Sequence, residues 1–421
     1  MSRPFATIGD NGTPLKVLLV GAGAMGHAWL GAVEASPLVE LCGIVDLNLE
    51  AARASAASID KPNLPVGKGT AQLASDIGAQ AVTNVTVPAA HHPVSTEALI
   101  AGLPVLGEKP AASTVAQGLS LVAAAELTGQ LFMVSQSRRY NRDLFAAKAL
   151  AGGLGRLGIL SADFFKAPHF GGFRDQMDHP LLLDMAIHQF DMARFLLNAD
   201  PVSVFCEKYN PAWSWYRGDA AAVASFEMSG GERFVLNGSW CSPGQETSWK
   251  AAWRLGGENG TLLWGGDTPP TVSPSSPDSP AADHAGRVDA GVHLDAAVVK
   301  DPGSNVHGSL REFVSAVRTG TAPMGQVHAN ILSLAMVEAA IESSATGRRV
   351  QIDALLERSY EEAVRDEKRQ DVAAVLRCSR PRTGPWHGSA QPDPLRNVTG
   401  SVQSYAGKPP YPFRYWCVTQ A

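Results

Sequence analysis

Three ionisable side chains share one face of a predicted helix in the middle of the chain. Within residues 180–198, Asp184, His188 and Asp191 stand at positions i, i+4 and i+7, which places them on the same side of a helix. Burying this polar stripe in an apolar segment without partners would be costly, so the pattern indicates a polar site. Spacing also allows a structural alternative, in which Asp184 pairs with His188 and Asp191 with Arg194. A metal site is less favoured because no third ligand is evident.

Lys109 is the second candidate for chemistry. It follows an apolar predicted strand and precedes Pro110, at the end of a parallel sheet where ligands bind. An ammonium group there can stabilise negative charge that develops on an oxygen. The alternative is a surface lysine paired with Glu108. His91 and His92 follow another strand end, where we expect structural neighbours of a cofactor rather than catalysts.

The segment that must position these groups lies near the N-terminus, where residues 15–27 are LKVLLVGAGAMGH. An apolar run leads into Gly21-Ala-Gly23-Ala-Met-Gly26, and an alanine-rich helical stretch follows. Gly21 permits the tight turn, Gly23 lets the backbone approach a pyrophosphate, and Gly26 lets the helix pack closely on the strand. The N-terminus of the helix then faces the phosphates. The motif predicts a dinucleotide site.

Asp46 indicates which dinucleotide binds. It stands twenty residues after Gly26, at the end of a second apolar run. A carboxylate there accepts hydrogen bonds from the ribose hydroxyls of adenosine, and its charge repels a 2′-phosphate. The sequence therefore predicts NAD as the cofactor, with NADP as the less favoured alternative.

Residues 15–136 alternate short β-like runs with helical stretches, which is typical of a parallel sheet covered by helices. Helices are predicted near residues 24–35, 49–58, 92–101 and 115–127. Strands are predicted at residues 16–20, 39–45, 81–87, 105–107 and 131–135. We therefore predict an α/β protein that begins with a doubly wound Rossmann domain over residues 1–136.

The pattern changes after residue 136. Helices are predicted at residues 137–152, 180–198, 308–317 and 328–344. Strands at 157–165, 202–208, 221–228, 233–240, 251–255, 261–264 and 349–352 mostly follow one another with short turns. This arrangement predicts an α+β domain for substrate binding and oligomerisation over residues 137–379, built on a largely antiparallel open sheet. Because residues 220–224 are almost all small or apolar, another subunit is expected to cover one face of the sheet.

Two further segments are distinguished by composition. Residues 267–305 are rich in Pro, Ser, Gly and Ala, which favours a long extended insertion or loop. Residues 380–421 form a Pro- and Gly-rich tail, for which packing across a neighbour and disorder are equally favoured.

The overall composition excludes several classes of protein. The chain of 421 residues has a formal net charge of −5, so no basic excess indicates nucleic acid, and no apolar run of about eighteen residues indicates a membrane span. The first residues lack the apolar core of a signal peptide, so we expect a cytoplasmic protein. Five cysteines without CxxC spacing favour reduced thiols over disulfides or a zinc site.

Several stretches together resemble the Gfo/Idh/MocA family, the glucose-fructose oxidoreductase and inositol dehydrogenase group. They are the glycine motif with Asp46, Pro88-Ala-Ala-His91-His92, Glu108-Lys109-Pro110, Asp184-Met-Ala-Ile-His188-Gln-Phe-Asp191 and Ala345-Thr-Gly-Arg-Arg-Val350. The resemblance implies a Rossmann domain, a C-terminal α/β domain whose open sheet often mediates oligomers, and a sugar or polyol bound between them. The insertion and the tail exceed the usual family length.

The resemblance also implies roles for individual residues. Lys109, Asp184 and His188 would be catalytic: His188 takes the hydroxyl proton, Asp184 fixes a hydroxyl or orients His188, and Lys109 stabilises charge on oxygen. A cis Lys109–Pro110 bond is implied as well. The residues expected to contact the cofactor are Gly21, Gly23, Ala24, Met25, Gly26, Asp46, Val87, Pro88, His92, Glu108 and Lys109. Those expected to contact substrate are Arg139, Tyr140, Lys166, Arg174, Asp184, His188 and Asp191, and no metal site is expected.

These features predict an NAD-dependent dehydrogenase that transfers a hydride between nicotinamide and a hydroxyl or ketone of a sugar, inositol or related polyol. We expect a homodimer or homotetramer, with no nucleic-acid or membrane partner. Two alternatives remain open. One is a redox-neutral glycosidase-type enzyme in which NAD oxidises the sugar, elimination follows and the hydride returns. The other is a non-enzymatic dinucleotide-binding regulator, although such relatives tend to lose the lysine or the histidine.

Overall fold

The first sheet is parallel throughout and contains the five predicted strands together with the short strand β3 Val66–Gly67, which was not predicted. The computed structural model describes residues 4–281 and 302–378. The strands of this sheet are β1 Leu15–Val20, β2 Val39–Val45, β3 Val66–Gly67, β4 Ala81–Asn84, β5 Val105–Glu108 and β6 Phe132–Ser135. Its helices are α1 Ala24–Glu34, α2 Leu49–Ala57, α3 Thr70–Ile77, α4 Pro88–Ile100 and α5 Val115–Thr128. The strand order β3-β2-β1-β4-β5-β6 is that of a dinucleotide-binding Rossmann sheet, as predicted.

The second sheet is mixed and mostly antiparallel. Its strands are β7 Leu157–Phe165, β8 Pro201–Tyr209, β9 Ala221–Met228, β10 Arg233–Ser239, β11 Ala252–Gly257, β12 Gly260–Trp264, β13 Thr271–Pro274 and β14 Val350–Gln351. In the order β13-β12-β11-β7-β10-β9-β8-β14, β7 and β10 run parallel, and the other described neighbours are antiparallel. The predicted α/β architecture with a largely antiparallel second sheet is therefore confirmed.

The remaining helices connect the two sheets. They are α6 Arg142–Ala151, α7 Ile187–Leu197, α8 Asn305–Thr319, α9 Val327–Thr346, α10 Ile352–Asp366 and α11 Gln370–Cys378. Helix α9 packs on β8 of the second sheet, whereas α8 packs on α1 and the helices α9 to α11 pack on α5 of the first. One consequence is a close contact in which the side chain of Ile331 lies over Gly118. The C-terminal part of the chain therefore folds back onto the Rossmann sheet.

One face of the second sheet is covered and the other is open. Alternate side chains such as Leu160, Phe226 and Phe234 are fully buried, with relative exposures of 0%. The side chains of Ile159, Phe205, Val223 and Leu263 are on the opposite face and are exposed. This alternation is the period of two expected of strands with one covered face. Both faces were expected to be covered, and in the single chain one is not.

Several element boundaries differ from the sequence predictions. Strand β4 ends at Asn84, and α4 begins at Pro88, so the segment from Pro88 to His92 is the first turn of a helix, with proline at a favoured position. A 3₁₀ turn, Ser137–Arg139, precedes α6, whose first turn is capped by Asn141. A π-helical turn, Leu181–Ala186, precedes α7.

Other elements were not predicted at all. Strand β3 and helices α3, α10 and α11 occupy stretches without an assigned element. Strand β13 lies inside the segment predicted as a loop, where pairing with β12 supplies its hydrogen bonds. Residues 282–301 of that segment and the tail 380–421 lie outside the described residues. Among the described helices none is long and apolar enough to cross a membrane.

Candidate active site

The glycine turn has the geometry that its sequence predicts. Gly21 adopts a φ of +112°, and a Cβ there would lie 2.9 Å from the carbonyl group of Val85, so only glycine fits. A Cβ on Gly26 would clash with the carbonyl oxygen of Gly21. Gly23, by contrast, has nothing within 4 Å of a Cβ position and is the N-cap of α1. The turn is therefore closed on its inner side and open where a pyrophosphate would approach.

Asp46 lies beside this turn at the end of β2. Its Oδ2 accepts a hydrogen bond from the backbone N–H of Ala22 at 2.8 Å, and its Oδ1 accepts one from the N–H of Asn48 at 2.7 Å. These bonds hold the carboxylate against the glycine turn. The side chain of the neighbouring Leu47 is 83% exposed. The sequence pattern did not identify this residue as a candidate for the cofactor site.

Glu108 holds the lysine loop against the first helix. Its Oε1 accepts a hydrogen bond from Trp29 Nε1 at 2.8 Å, and its Oε2 accepts one from the backbone N–H of Lys109 at 3.0 Å. Burial raises the pKa of Glu108, against the opposing effects of Trp29 and Lys109. The Lys109–Pro110 bond is cis, as the resemblance implied. Nδ1 of His91 lies 2.6 Å from the carbonyl oxygen of Pro110, so His91 supports this loop.

The amino group of Lys109 reaches the π-helical turn. Its Nζ donates to the carbonyl oxygen of Asp184 at 2.6 Å and to Oδ1 of the same residue at 3.1 Å. Asp184 Oδ2 accepts a hydrogen bond from Arg174 Nε at 3.1 Å. Burial would raise the pKa of Asp184, but Lys109 and Arg174 outweigh it and hold the pKa below its ordinary value. The carboxylate therefore stays ionised between two cations.

His188 lies in the first turn of α7 and is 4% exposed. Its Nδ1 is buried and has no hydrogen-bond partner among the described residues. Burial lowers the pKa of His188 well below its ordinary value, and the positive charges of Lys109 and Arg138 lower it further. The imidazole is therefore neutral at neutral pH and can accept a proton. Since Asp184 binds Lys109, the alternative of an isolated Asp184–His188 pair is not what the structure contains.

A wall of aromatic and basic side chains extends from this group of residues. Lys166 Nζ donates to Glu246 Oε2 at 2.6 Å and lies 4.8 Å from the centre of the Trp249 ring. Arg174 lies 5.3 Å from the ring centre of Phe170 and 4.8 Å from that of Phe173. Aromatic faces hold cations in this way. Lys166 and Arg174, both expected from the sequence to contact substrate, line this wall.

Two family models match the chain over both of its sheets. The model described as the oxidoreductase family with an NAD-binding Rossmann fold matches residues 15–136. The model described as the GFO/IDH/MocA C-terminal domain matches residues 147–263. The chain belongs to the GFO/IDH/MocA family. This protein is therefore an NAD-binding oxidoreductase.

Individual relatives within the GFO/IDH/MocA family support this membership. The chain is 29% identical to the uncharacterized protein y4oX of Sinorhizobium fredii over 59% of its own length and 72% of that protein. It is 32% identical to inositol 2-dehydrogenase 4 of Saccharopolyspora erythraea, over 45% of its own length and 56% of that enzyme. The second match therefore spans little more than half of the named enzyme.

A solved structure of similar fold is the WlbA dehydrogenase of Chromobacterium violaceum in complex with NADH and UDP-GlcNAcA. It superimposes with a TM-score of 0.69 at 20% sequence identity, over 82% of this chain and 97% of that one. At this identity the likeness concerns the fold alone.

The structure places three of the expected substrate residues inside the GFO/IDH/MocA fold. Arg139 and Asp191 are 2% and 1% exposed, and they bind each other by two hydrogen bonds. The hydroxyl of Tyr140 donates to Glu312 of α8. Because these polar atoms already have partners inside the protein, the geometry gives all three residues a structural role. A contact of these three residues with substrate stays a prediction.

Arg138 is the residue that sequence reasoning missed. In the 3₁₀ turn Ser137–Arg139, Arg139 faces the interior, while Arg138 lies 5.7 Å from the centre of the Trp249 ring. Its charge acts on His188, so Arg138 rather than Arg139 belongs to the wall described above. The adjacent arginines were visible in the sequence, but not which of them faces the site.

The remaining expected cofactor residues lie around the carboxyl edge of the first sheet. Met25 and Val87 are 37% and 54% exposed, in the first turn of α1 and at the N-terminus of α4. Nε2 of His92 lies 3.0 Å from Ser120 Oγ on α5. This contact neither requires nor excludes a bound cofactor, and a cofactor contact of His92 stays a prediction. In the described part of the chain no group of three or more His, Cys, Asp or Glu could hold a metal ion.

Proposed function

We propose that this GFO/IDH/MocA protein is an NAD-dependent dehydrogenase that acts on a CH–OH group of a sugar, inositol or related polyol. The observation that carries the proposal is the contact of Lys109 Nζ with Asp184, one turn before the neutral imidazole of His188. This contact joins the carboxyl end of β5 to the π-helical turn. A proton acceptor and a cation beside it are the two groups that alcohol oxidation requires of the protein.

His188 is the proposed general base. Oxidation of the alcohol breaks a C–H bond and an O–H bond of the same CH–OH group, and the hydroxyl proton goes to the imidazole. A base must be unprotonated to work, and burial together with nearby positive charge keeps His188 neutral. In the reverse direction the protonated imidazole returns the proton to the ketone oxygen.

Lys109 and Asp184 are the proposed positioning and charge-stabilising groups. As the proton leaves, negative charge grows on the substrate oxygen, and the ammonium group of Lys109 stabilises it. Asp184 holds that ammonium group in place through its carbonyl oxygen and Oδ1. Arg174, on the other oxygen of the same carboxylate, fixes the orientation of Asp184.

The glycine turn, Asp46 and Lys109 all follow carboxyl ends of parallel strands, which is where a Rossmann sheet binds its ligand. When bound, NAD supplies the acceptor for the hydride that leaves the substrate carbon. The open space over Gly23 and the N–H groups at the start of α1 suit its pyrophosphate. We propose that Asp46 binds the ribose hydroxyls and that the exposed Leu47, Met25 and Val87 cover apolar parts of the cofactor.

A polar atom without a partner supports a hydroxylated substrate. Asp175 Oδ1 is buried and has no hydrogen-bond partner among the described residues. Asp175 follows Arg174, which binds Asp184, and a substrate hydroxyl can donate to its carboxylate. Sites that hydrogen-bond a substrate hydroxyl discriminate strongly against analogues that lack it.

The test is whether reduced cofactor accumulates. The protein, NAD and a panel of inositols, alditols and aldoses are mixed, and the absorbance of free NADH is followed. A dehydrogenase produces NADH in proportion to substrate consumed. Product without net NADH would instead indicate the redox-neutral glycosidase-type reaction, and binding of NAD without any turnover would indicate a regulator.

We also propose that the protein forms homo-oligomers through the open face of its second sheet. The exposed Ile159, Phe205, Val223 and Leu263 form an apolar surface on this face, and a second copy related by a two-fold axis would cover it with its own matching surface. Sedimentation should show a dimer or tetramer that Phe205→Glu dissociates. A monomer in the parent protein would contradict this proposal.

A further inference from the structure

The basic side chains around Asp184 outnumber the carboxylates that pair with them. Lys109 and Arg174 share the single carboxylate of Asp184. Lys166 pairs with Glu246 at 2.6 Å. Arg138 adds a fourth cation. The carboxylates of Asp184 and Glu246 thus pair with three of these four cations, and Arg138 is the cation without a paired carboxylate.

Arg138 has the least compensated of these charges. Its guanidinium lies over Trp249 and makes no hydrogen bond or ion pair with any described residue. Asp267 acts on it only at longer range, and Asp267 itself binds Lys250 at 3.1 Å. Burial lowers the pKa of Arg138, which reflects the loss of hydrating water. A guanidinium that is partly desolvated and lacks an anionic partner is costly to keep unless a ligand supplies one.

The surroundings of Arg138 fix its position beside the reacting groups. The next residue, Arg139, is bound to Asp191 on α7, and Asp191 follows His188 by one helical turn. Trp249 lies beneath both Arg138 and Lys166, and Trp240 packs against Trp249 with ring centres 5.7 Å apart. The guanidinium is thus held on a rigid aromatic support within reach of the substrate site.

We propose that Arg138 binds a carboxylate of the substrate, so that the preferred substrate is a sugar acid or polyol acid rather than a neutral polyol. A guanidinium presents paired N–H groups that match the two oxygens of a carboxylate. A single carboxylate also matches the charge: Glu246 already neutralises Lys166, Lys109 serves the reacting oxygen, and one positive charge on Arg138 remains. This inference rests on the proposed dehydrogenase function and names its substrate class.

The test compares matched pairs that differ by one carboxylate. D-Glucuronate is compared with D-glucose, D-galacturonate with D-galactose, and D-gluconate with D-sorbitol, and glucose 6-phosphate serves as an anion of different shape. Both NADH formation and the shift in melting temperature of the NAD-bound protein are measured. The variants are Arg138→Gln, Arg138→Lys and, as a control that also removes one arginine, Arg365→Gln, since Arg365 is exposed on α10.

We expect the acid of at least one pair to be bound more tightly and oxidised more efficiently than its neutral partner. Arg138→Gln should lower kcat/KM for that acid about tenfold to a hundredfold, the usual range for a lost hydrogen bond to a charged group. Because Arg138 also acts on His188, both substrates are compared on the pH-independent plateau of each variant, where the loss for the acid should exceed the loss for its neutral partner. Arg138→Lys should restore part of the loss, and Arg365→Gln should change neither value.

Three results would overturn the inference: a neutral member used as well as its acid, equal losses for both members in Arg138→Gln, or preference for the sugar phosphate. If no compound yields NADH with the parent protein, it is the proposed oxidation that fails. The melting shifts then still decide the role of Arg138. A shift by an acid that disappears in Arg138→Gln supports the carboxylate site, and the absence of any shift by the acids contradicts it.

Discussion

Arg139 and Asp191 form a buried pair in which Nε donates to Oδ2 at 2.9 Å and Nη2 donates to Oδ1 at 2.6 Å. Asp191 Oδ1 also accepts a hydrogen bond from Ser333 of α9 at 3.0 Å. Arg139 belongs to the turn after β6, whereas Asp191 lies on α7. The pair therefore fastens the helix that carries His188 to the carboxyl edge of the Rossmann sheet.

Breaking this pair should destabilise the protein strongly. Arg139→Met leaves the carboxylate of Asp191 buried without its cation, which typically costs about 3–5 kcal/mol. The matched control is Arg156→Met, because Arg156 and Glu258 form an exposed pair worth less than about 1 kcal/mol. Urea unfolding of both variants measures the difference. Similar unfolding midpoints for the two variants would show that the buried pair contributes no more to the free energy of unfolding than the exposed pair.

Two substitutions in the glycine turn should affect the melting temperature and the affinity for NAD differently. Gly26→Ala places a Cβ against the carbonyl oxygen of Gly21, so both the melting temperature without NAD and the affinity for NAD should fall. Gly23→Ala meets no protein atom within 4 Å, so the melting temperature should stay near that of the parent while NAD affinity falls, because the methyl group occupies the space of the pyrophosphate. Calorimetric titration with NAD supplies the affinities. Unchanged affinity in Gly23→Ala would place the pyrophosphate elsewhere.

Glu108 should make stability fall as the pH rises. Its pKa is raised above the ordinary value of 4.5 by burial, so the folded protein holds this proton more tightly than the unfolded chain. The stabilisation from Glu108 is complete below pH 4.5 and is lost as the pH rises through the raised pKa. The melting temperature of Glu108→Gln, relative to the parent, should therefore increase with pH. Glu50→Gln, which removes an exposed carboxylate of α2, is the control, and a Glu108→Gln curve parallel to that of the parent would contradict the account.

The lowered pKa of His188 should keep the enzyme active in alcohol oxidation at mildly acidic pH. A base must be neutral, and the pKa of His188 lies well below its ordinary value of 6.5. We therefore expect kcat/KM for alcohol oxidation, at saturating NAD, to decline only below pH 6.5. Arg138→Gln removes one of the charges that lower this pKa and should move the decline to higher pH, whereas Arg365→Gln should not. A decline at or above pH 6.5 in the parent protein would argue against His188 as the base.

Much of the fold was predictable because parallel sheets carry strong local signals. Buried strands of Val and Leu, separated by helical stretches, predicted the parallel Rossmann sheet and five of its six strands, and Gly21 has the positive φ that its motif demands. Strand β13 was missed because its conformation depends on pairing with β12, which composition does not reveal. Helices α10 and α11 lie in a polar stretch whose apolar face is explained by packing on α5.

The candidate site was predictable in part. The types and spacing of Lys109, Asp184 and His188 drew attention to the right segments. The i to i+4 relation between Asp184 and His188 assumed a regular α-helix, however, and the π-helical turn places Asp184 between Lys109 and Arg174 instead. Which of two adjacent arginines faces the site depends on a 3₁₀ turn, and that geometry follows from the burial of Arg139 against Asp191 rather than from any local pattern.

The central claim is that Lys109 and His188 carry out the oxidation while other residues hold NAD. The most direct measurement is NADH formation with the best substrate of the panel in Lys109→Ala and His188→Ala, together with the dissociation constant for NAD of each variant. We predict that each substitution abolishes turnover while NAD still binds. Full activity in either variant would contradict the assignment of that residue and the mechanism built on it.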